Sequence, residues 1–298
     1  MNMITKKKTV PLIEPNNLFS CINCNEIPII ISKWIVRSYQ SYLVTGDMGT
    51  GKSTYIKSIA RYYPINAPIR TSEIRPELNL RFAYPDRNIV SFFETNKMSV
   101  QDGLDFQKKT SGLVSIIGEI ANAQAASWWI QTTKVAFRSG AGTFHGKTID
   151  DTITGLRDNI AQVSHFTDIN AVEVMVADAL DFDIHMCRED KLRYNERITE
   201  VLPVKQREYP YPNYHNVQKE DMKMALDTNN LEYFRRMTDR KNYEAKNICE
   251  YDKEAQRYVF THMFSESVIA NMKKNLSKSD YERFEKDMDK LLTYNRGA

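Results

Sequence analysis

The sequence predicts an α/β fold with a mainly parallel sheet, because short apolar runs alternate with helical patterns and glycine-containing turns along much of the chain. The predicted strands lie in YLVTG, NAPIRTSEI, RNIVSFFE, GLVSIIGEI and AGTFHG. Helical patterns cover residues 52–61, 121–138 and 150–163, and residues 26–38 are predicted to be a helix or in part a strand. This alternation is typical of a sheet covered by helices on both faces.

The pattern changes after residue 171, where AVEVMVADALDFDIHMCRED and YNERITEVLPV predict antiparallel strands at the edge of the sheet. From residue 206 onward, tyrosines and prolines interrupt the alternation, and helices dominate the rest of the chain. We therefore predict three parts: a linker segment over residues 1–33, a core domain over residues 34–204 and a mostly helical C-terminal appendage over residues 205–298.

The composition is that of an ordinary globular protein. The chain has 298 residues, of which 42% are hydrophobic and 27% are charged. Its apolar runs are shorter than the roughly 18 residues that suggest a membrane span, and no signal-peptide core follows the basic start. The net charge of +3 neither requires nor excludes an acidic partner. Cys21 and Cys24 form a single C-x-x-C pair without further ligands, which favours two reduced thiols over a zinc site.

A phosphate-binding loop is predicted in GDMGTGKS, which follows the strand YLVT and precedes a helix. The pattern requires Gly46, Gly51, Lys52 and Ser53 in this order. The glycines allow consecutive backbone N–H groups to point at phosphate oxygens, and the positive end of the helix lies at the same place. Lys52 is suited to reach the β- and γ-phosphates, and the Ser53 hydroxyl is suited to hold Mg²⁺. An ordinary glycine turn would not explain the lysine and the serine.

The bound nucleotide is predicted to be ATP. Guanine-binding proteins commonly carry Asn-Lys-x-Asp, whereas Asn96-Lys97-Met98-Ser99 lacks the carboxylate. Glu119 ends the apolar segment SIIGE, at the carboxyl end of a predicted central strand, where open α/β sheets bind their ligands. Behind such a loop, we expect this carboxylate to orient or deprotonate the attacking water, or to hold Mg²⁺ through water. A helix-capping or solvated carboxylate is the alternative.

Four ordered segments resemble the secretion ATPase superfamily, which comprises the hexameric motors of type II and type IV secretion, type IV pili and tight-adherence pili. They are ISKWIVRSYQSYLVTGDMGTGKST around the P-loop, TSEIRPELNL as the acidic box, SIIGEIANAQAA as the Walker B segment and SGAGTFHGKTIDDTITGL as the histidine box. The resemblance covers roughly residues 4–204 and is greatest to the tight-adherence or conjugation-type branch. It implies a RecA-like P-loop NTPase core.

The resemblance implies a role for each matching residue. Nucleotide and Mg²⁺ are expected at seven positions of the loop and the following helix: Gly46, Gly49, Thr50, Gly51, Lys52, Ser53 and Thr54. Glu73 and Glu77 match the acidic-box carboxylates near the γ-phosphate and the metal. Glu119 matches the Walker B glutamate, so that Ser53 and Glu119 are the implied metal ligands. His145 matches the histidine that senses the γ-phosphate; a half-buried histidine at a strand end is the alternative.

The chain departs from the family pattern at several positions. Ile74 stands where an acidic residue usually follows Glu73, and Ala121 stands where an arginine usually follows the Walker B glutamate. These departures predict slow hydrolysis or a divergent member. Members also carry an N-terminal domain before the motor, whereas this sequence starts at about the linker. We expect that domain to be a separate chain, to have been lost, or to belong to a longer protein.

The leading hypothesis from the sequence is an ATPase that assembles with itself, in a six-membered ring, and drives assembly or export with the membrane platform proteins of a secretion or pilus system. Such a protein would lie in the cytoplasm, or peripherally on the inner face of the membrane. Ile74 and Ala121 motivate an alternative, a nucleotide-binding regulatory or structural subunit with little hydrolysis. A RecA-like nucleic-acid motor is the third hypothesis. No stripe of basic residues interleaved with aromatics is present, so no stable nucleic-acid partner is expected.

Overall fold

A mixed nine-stranded sheet runs through the part of the protein that the structure describes. The computed structural model describes residues 26–96, 99–164, 168–204, 210–211, 213–238 and 241–296, so the C-x-x-C pair lies outside the described residues. The strands are β1 Tyr42–Thr45, β2 Ile69–Glu73, β3 Ile89–Phe93, β4 Val114–Ile117, β5 Ser139–Phe144, β6 Phe182–Glu189, β7 Leu192–Pro203, β8 Tyr243–Asp252 and β9 Arg257–Phe260. Their order across the sheet is β3-β2-β4-β5-β1-β6-β7-β8-β9.

Helices cover both faces of this sheet. They are α1 Glu26–Arg37, α2 Lys52–Ile59, α3 Leu80–Ala83, α4 Val100–Lys109, α5 Ala123–Gln131, α6 Ile149–Ser164, α7 Ile169–Ala179, α8 Met222–Thr238, α9 Glu266–Asn275 and α10 Lys278–Arg296. One core cluster joins residues of α1, α2, α9 and α10 to the sheet, and a second joins residues of α5, α6 and α7 to it. The layered α/β arrangement predicted from the sequence is therefore confirmed.

The six strands from β3 to β6 are parallel, and the next three are antiparallel. Each residue of β1, β4 and β5 is buried, as expected for strands that are covered on both faces. That burial explains why these strands appear in the sequence as short continuous apolar or small-residue runs. The carboxyl ends of the parallel strands meet at one edge, where ligands of such sheets bind.

The predicted edge strands are partly wrong. Residues 169–179 form the helix α7, whose side chains Val172 and Val176 are fully buried one turn apart. Asp168 caps this helix by accepting hydrogen bonds from the backbone N–H groups of Asn170 and Ala171. The strands that follow, β6 and β7, were expected at the sheet edge and instead lie inside the sheet, because β8 and β9 extend it beyond them.

The C-terminal region is mostly helical, as predicted, but it also supplies two strands to the sheet. β8 pairs with β7 over residues 243–250, and β9 pairs with β8. The proposed boundary at residue 33 falls within α1. The division into three parts remains a prediction.

The first and last described helices pack against each other. The Trp34 and Phe284 rings meet edge to face with 5.6 Å between their centroids, and both side chains are buried. Asp287 accepts hydrogen bonds from the Trp34 indole Nε1 at 3.0 Å and from the Lys33 Nζ at 2.9 Å. A pair of buried aromatic rings with a satisfied indole N–H stabilises the fold through both burial and geometry.

We expect Phe284→Ala to lower the free energy of unfolding by about 3–5 kcal/mol, because it leaves a cavity beside Trp34. Leu292→Ala on the same helix is the control, since Leu292 is 41% exposed; its effect should stay within about 0.5 kcal/mol. Urea denaturation of both variants measures the difference. Equal losses would contradict the packing of α10 on α1.

Candidate functional site

Three glycines shape the loop between β1 and α2. Gly46, Gly49 and Gly51 have φ angles of 131°, 77° and 95°, in the region that side-chain-bearing residues rarely adopt. A Cβ atom at Gly46 would lie 2.1 Å from the backbone oxygen of Met186. The loop therefore needs glycine for its backbone conformation and for its close approach to β6. It leads directly into α2, whose N-terminal N–H groups form an anion-binding end.

Lys52 lies across this loop. Its Nζ donates to the backbone oxygens of Gly46 at 2.8 Å and Asp47 at 2.9 Å. Burial lowers the pKa of Lys52, while the carboxylates of Glu119, Asp47 and Glu77 act in the opposite direction. These carboxylates favour the charged ammonium in a position where burial disfavours it.

His145 connects Lys52 to Glu119. Its Nδ1 lies 3.4 Å from the Lys52 Nζ, and its Nε2 lies 3.0 Å from Oε1 of Glu119. An ammonium group can only donate, so Nδ1 accepts and the Nε2–H donates to the carboxylate. The arrangement fits a neutral imidazole between a cation and an anion. The three side chains come from α2 and from the segments that follow β5 and β4.

Ser53 and Glu77 form a second polar pair, because the Ser53 hydroxyl donates to Oε2 of Glu77 at 3.2 Å. Hydroxyl and carboxylate oxygens are the ligands that Mg²⁺ prefers, and Mg²⁺ is commonly held by one or two carboxylates together with phosphates. No group of three or more metal-binding His, Cys, Asp or Glu residues occurs within the described ranges. Ser53, Glu77 and Glu119 line one cavity and offer oxygen ligands of the kind that Mg²⁺ prefers.

Glu73 occupies a different position from the other predicted carboxylates. It is 3% exposed, and its Oε2 accepts from the backbone N–H groups of Glu77 at 2.9 Å and Leu78 at 2.8 Å. Burial raises its pKa, and the two backbone hydrogen bonds oppose that rise. Glu73 therefore holds the turn that carries Glu77.

A cavity of about 430 Å³ collects most of the predicted site. It is lined by Met48, Gly49, Gly51, Lys52, Ser53, Thr54, Glu77, Glu119, Thr143, His145 and Arg193. Gly46, Thr50 and Glu73 are not among its lining residues. The Gly46 carbonyl accepts from Lys52, and the Thr50 hydroxyl donates to the Asp47 oxygen at 2.9 Å, so these residues support the loop.

Three of the lining residues, Met48, Thr143 and Arg193, were not predicted from the sequence. Thr143 lies two positions before His145 and donates to the Gly118 oxygen at 2.6 Å. Thr143 could have been predicted, because residues two positions apart lie on the same face of a strand and His145 was already a candidate site residue. Arg193 lies on β7 and reaches the cavity only through the pairing of β6 with both β1 and β7. No local pattern in the sequence marks it.

A buried polar network lies behind the loop. The Thr45 hydroxyl, directly before Gly46, donates to Oδ1 of Asp183 at 2.7 Å and lies 2.9 Å from Nδ1 of His185. Because that hydroxyl gives its hydrogen to Asp183, it accepts from the Nδ1–H of His185. Burial raises the pKa of Asp183 to about 6 and lowers that of His185 to about 4.

Nearby charges act on both of these pKa values. The Arg197 guanidinium lowers the pKa of Asp183 and of His185. Asp47 raises and Lys52 lowers the pKa of His185. Glu196, whose Oε2 is 3.7 Å from the His185 Nε2, also pairs with Arg197 at 2.8 Å.

Comparison with protein-family models gives no match, and comparison with curated proteins gives none either. Among solved structures, the chain is similar to the VirB11 ATPase from the Brucella suis type IV secretion system, in complex with sulphate. The TM-score is 0.52 at 17% identity, over 65% of this chain and 56% of that one. This likeness shows a shared fold, in agreement with the fold class predicted from the sequence.

Two further solved structures are similar. The Legionella pneumophila ATPase DotB matches with a TM-score of 0.48 and 14% identity, over 74% of this chain and 57% of that one. The pilus retraction motor PilT, in a structure with bound ADP, matches with a TM-score of 0.47 and 18% identity, over 60% of this chain and 50% of that one. The chain spans about half the length of the solved structures it matches.

The buried pair predicts opposite pH dependences in two variants. In His185→Gln, Asp183 binds its proton more tightly in the folded state, so the free energy of unfolding should fall as pH rises from about 4 to about 6. In Asp183→Asn, His185 binds its proton less tightly in the folded state, so the free energy should fall as pH drops from 6.5 to about 4. Each change should reach about 3 kcal/mol.

Urea denaturation at a series of pH values measures both slopes. The wild-type protein, in which the two contributions oppose each other, is the reference for each variant. Slopes of the same sign in the two variants would contradict the account of the network.

Proposed function

We propose that the chain is an ATP-hydrolysing motor subunit of the secretion ATPase superfamily, which powers assembly or export by a secretion or pilus system. The observation that carries the proposal is the meeting of Lys52, Ser53, Glu77, Glu119 and His145 around one cavity. The fold shared with a type IV secretion ATPase supports it.

Nucleotide binding follows from the loop and its lysine. The N-terminal N–H groups of α2 and the Lys52 ammonium are suited to bind phosphate oxygens. On nucleotide binding, the Lys52 Nζ would donate to phosphate oxygens in place of the backbone oxygens of Gly46 and Asp47. Ser53 and Glu77 would hold Mg²⁺ together with the phosphates, and Glu119 would hold it through water. When bound, this ion neutralises charge that develops on the phosphate oxygens. Asn96-Lys97-Met98-Ser99 lacks the carboxylate of guanine-binding proteins, which favours ATP.

Hydrolysis would depend on Glu119. Its carboxylate accepts a proton from a water molecule as the water oxygen bonds to the γ-phosphorus and the bridging P–O bond to ADP breaks. The Nε2–H of His145 orients Oε1 of Glu119, and the Nδ1 of the same ring faces the Lys52 ammonium. His145 thus contacts both the phosphate-binding Lys52 and the base Glu119, so a shift of one of them would be passed to the other through the imidazole ring.

A nucleotide-binding regulatory or structural subunit with little hydrolysis is the second candidate. The burial of Glu73 favours it, because that carboxylate binds the backbone of Glu77 and Leu78 and does not line the cavity that Lys52 lines. Ile74 provides no carboxylate at the next position and is 41% exposed. Tight nucleotide binding without turnover is expected from such a subunit.

The wider assembly is proposed from the same resemblance. We infer that the chain associates with itself, as a six-membered ring, and with membrane platform proteins at the cytoplasmic side of the membrane. The branch nearest to tight-adherence or conjugation motors remains our preferred one. Within the described ranges, none of the helices combines the length and apolar character that crossing a bilayer requires.

Turnover and binding measurements separate the two candidates. We expect Lys52→Ala to lose nucleotide binding, and Glu119→Gln to bind ATP while its turnover falls by about 10²–10⁴-fold, the usual contribution of a general base. Glu254→Gln, an exposed glutamate in the turn between β8 and β9, is the matched control and should leave turnover unchanged. Phosphate release and ATP binding are measured for all three variants and the wild-type protein.

The outcomes of this experiment differ between the hypotheses. A wild-type protein that binds ATP tightly and releases no phosphate, even with partner proteins present, favours the second candidate. Stimulation of turnover by DNA would instead favour a nucleic-acid motor. A wild-type protein that binds no nucleotide would end the proposal.

A further inference from the structure

The hairpin formed by β6 and β7 places two arginines next to each other. Arg188 and Arg193 are directly opposite in the antiparallel register, and each lies two residues from the turn at Asp190 and Lys191. Like charges at directly opposed positions of two strands repel each other. An anion that both guanidinium groups approach would relieve that repulsion.

Neither arginine has a carboxylate partner among the described residues. The Arg188 Nε donates to the backbone oxygen of Asp190 at 2.9 Å, and the Arg193 side chain makes no hydrogen bond or ion pair within those ranges. The neighbouring carboxylates have other partners: Glu189 pairs with Lys253 and accepts from Tyr194, and Glu196 pairs with Arg197. Neither guanidinium group therefore forms an ion pair with a carboxylate of the described residues.

Both arginines face the phosphate-binding loop. Arg193 lines the cavity that Lys52 and Ser53 also line. The Arg188 Nη1 lies 3.2 Å from the position that a Cβ atom on Gly49 would take. Tyr194, the next residue along β7, is fully buried, as expected for a side chain on the opposite face of the strand.

We propose that Arg193 binds the phosphates of the nucleotide, as a second side-chain cation beside Lys52 and from the same chain. This inference rests on the proposed function, because it assigns a further residue to the same site. A guanidinium group presents a planar set of donors that matches two phosphate oxygens at once, which a lysine ammonium cannot do. Arg188, close to Gly49, strengthens the positive potential around the loop.

The test uses Arg193→Gln with two ligands, ATP and inorganic tripolyphosphate, and measures both affinities by calorimetry. We expect the dissociation constants of both ligands to rise by about 10–150-fold, the range for a lost hydrogen bond to a charged group. Lys191→Gln removes the same charge from an exposed position in the same hairpin. It should change either constant by less than about twofold, because exposed charges are screened.

Three results would overturn the inference. An Arg193→Gln variant that weakens ATP but leaves tripolyphosphate unchanged would place the guanidinium against the base or the ribose. Equal effects of Arg193→Gln and Lys191→Gln on the dissociation constants would mean that only the net charge of the hairpin matters, without a specific contact of Arg193. If the wild-type protein binds ATP and the Arg193→Gln variant binds each ligand as tightly as the wild-type protein does, the inference fails while the proposed function stands.

Two further variants complete the design. Arg193→Lys keeps the charge without the planar donor set, and its affinity for tripolyphosphate should lie between those of the wild-type protein and Arg193→Gln. Lys52→Ala should bind neither ligand. A wild-type protein that binds neither ligand overturns the proposed function itself, and with it the inference.

Discussion

Close contact between the glycine loop and β6 is the constraint on which the rest of the site depends. Gly46 approaches the Met186 carbonyl so closely that a Cβ atom would lie 2.1 Å from that oxygen. The contact limits the path of the loop, and the end of the loop fixes the position of Lys52, the first residue of α2. The same approach brings the β6–β7 hairpin, with Arg193, over the cavity. One steric requirement therefore positions the lysine and the hairpin together.

Charge at the site is balanced between groups that come from different strands. Lys52 is desolvated, and the carboxylates of Glu119, Asp47 and Glu77 favour its charged form. His145 lies between Lys52 and Glu119, so its two ring nitrogens meet groups of opposite character. Polar groups that are held by one another in this way can stabilise developing charge at low reorganisation cost. The buried Glu73 contributes indirectly, because it holds the turn of Glu77.

The local features could be predicted from the sequence, and the errors arose where long-range contacts determine the type of an element or its place in the sheet. The glycine loop between β1 and α2 and the position of Glu119 after β4 could be predicted locally, since residue type and spacing are sufficient there. Residues 172–176 alternate with a period of two and also repeat at one helical turn, so periodicity alone could not separate a strand from α7. Arg193 carries no motif, and only the position of β7 two strands from β1 brings it to the cavity. The additional strands β8 and β9 place β6 and β7 inside the sheet, a result of long-range pairing that local propensity does not determine.

The C-terminal helices support the loop through a series of aromatic contacts. Phe182 at the start of β6 meets Phe264 at 5.6 Å between ring centroids, Phe264 meets Phe284 of α10 at 6.1 Å, and Phe284 meets Trp34 of α1 at 5.6 Å. α1 leads into β1 and therefore into the loop, while β6 carries the carbonyl against which Gly46 packs. The α1–β1 segment that leads into the loop and the strand β6 that packs against it are thus both supported by one aromatic cluster. Close-packed interiors deform little, so residues far along the chain can hold in place a backbone conformation that only glycine readily adopts. The geometry of the glycine loop therefore depends on the C-terminal region as well as on its own motif.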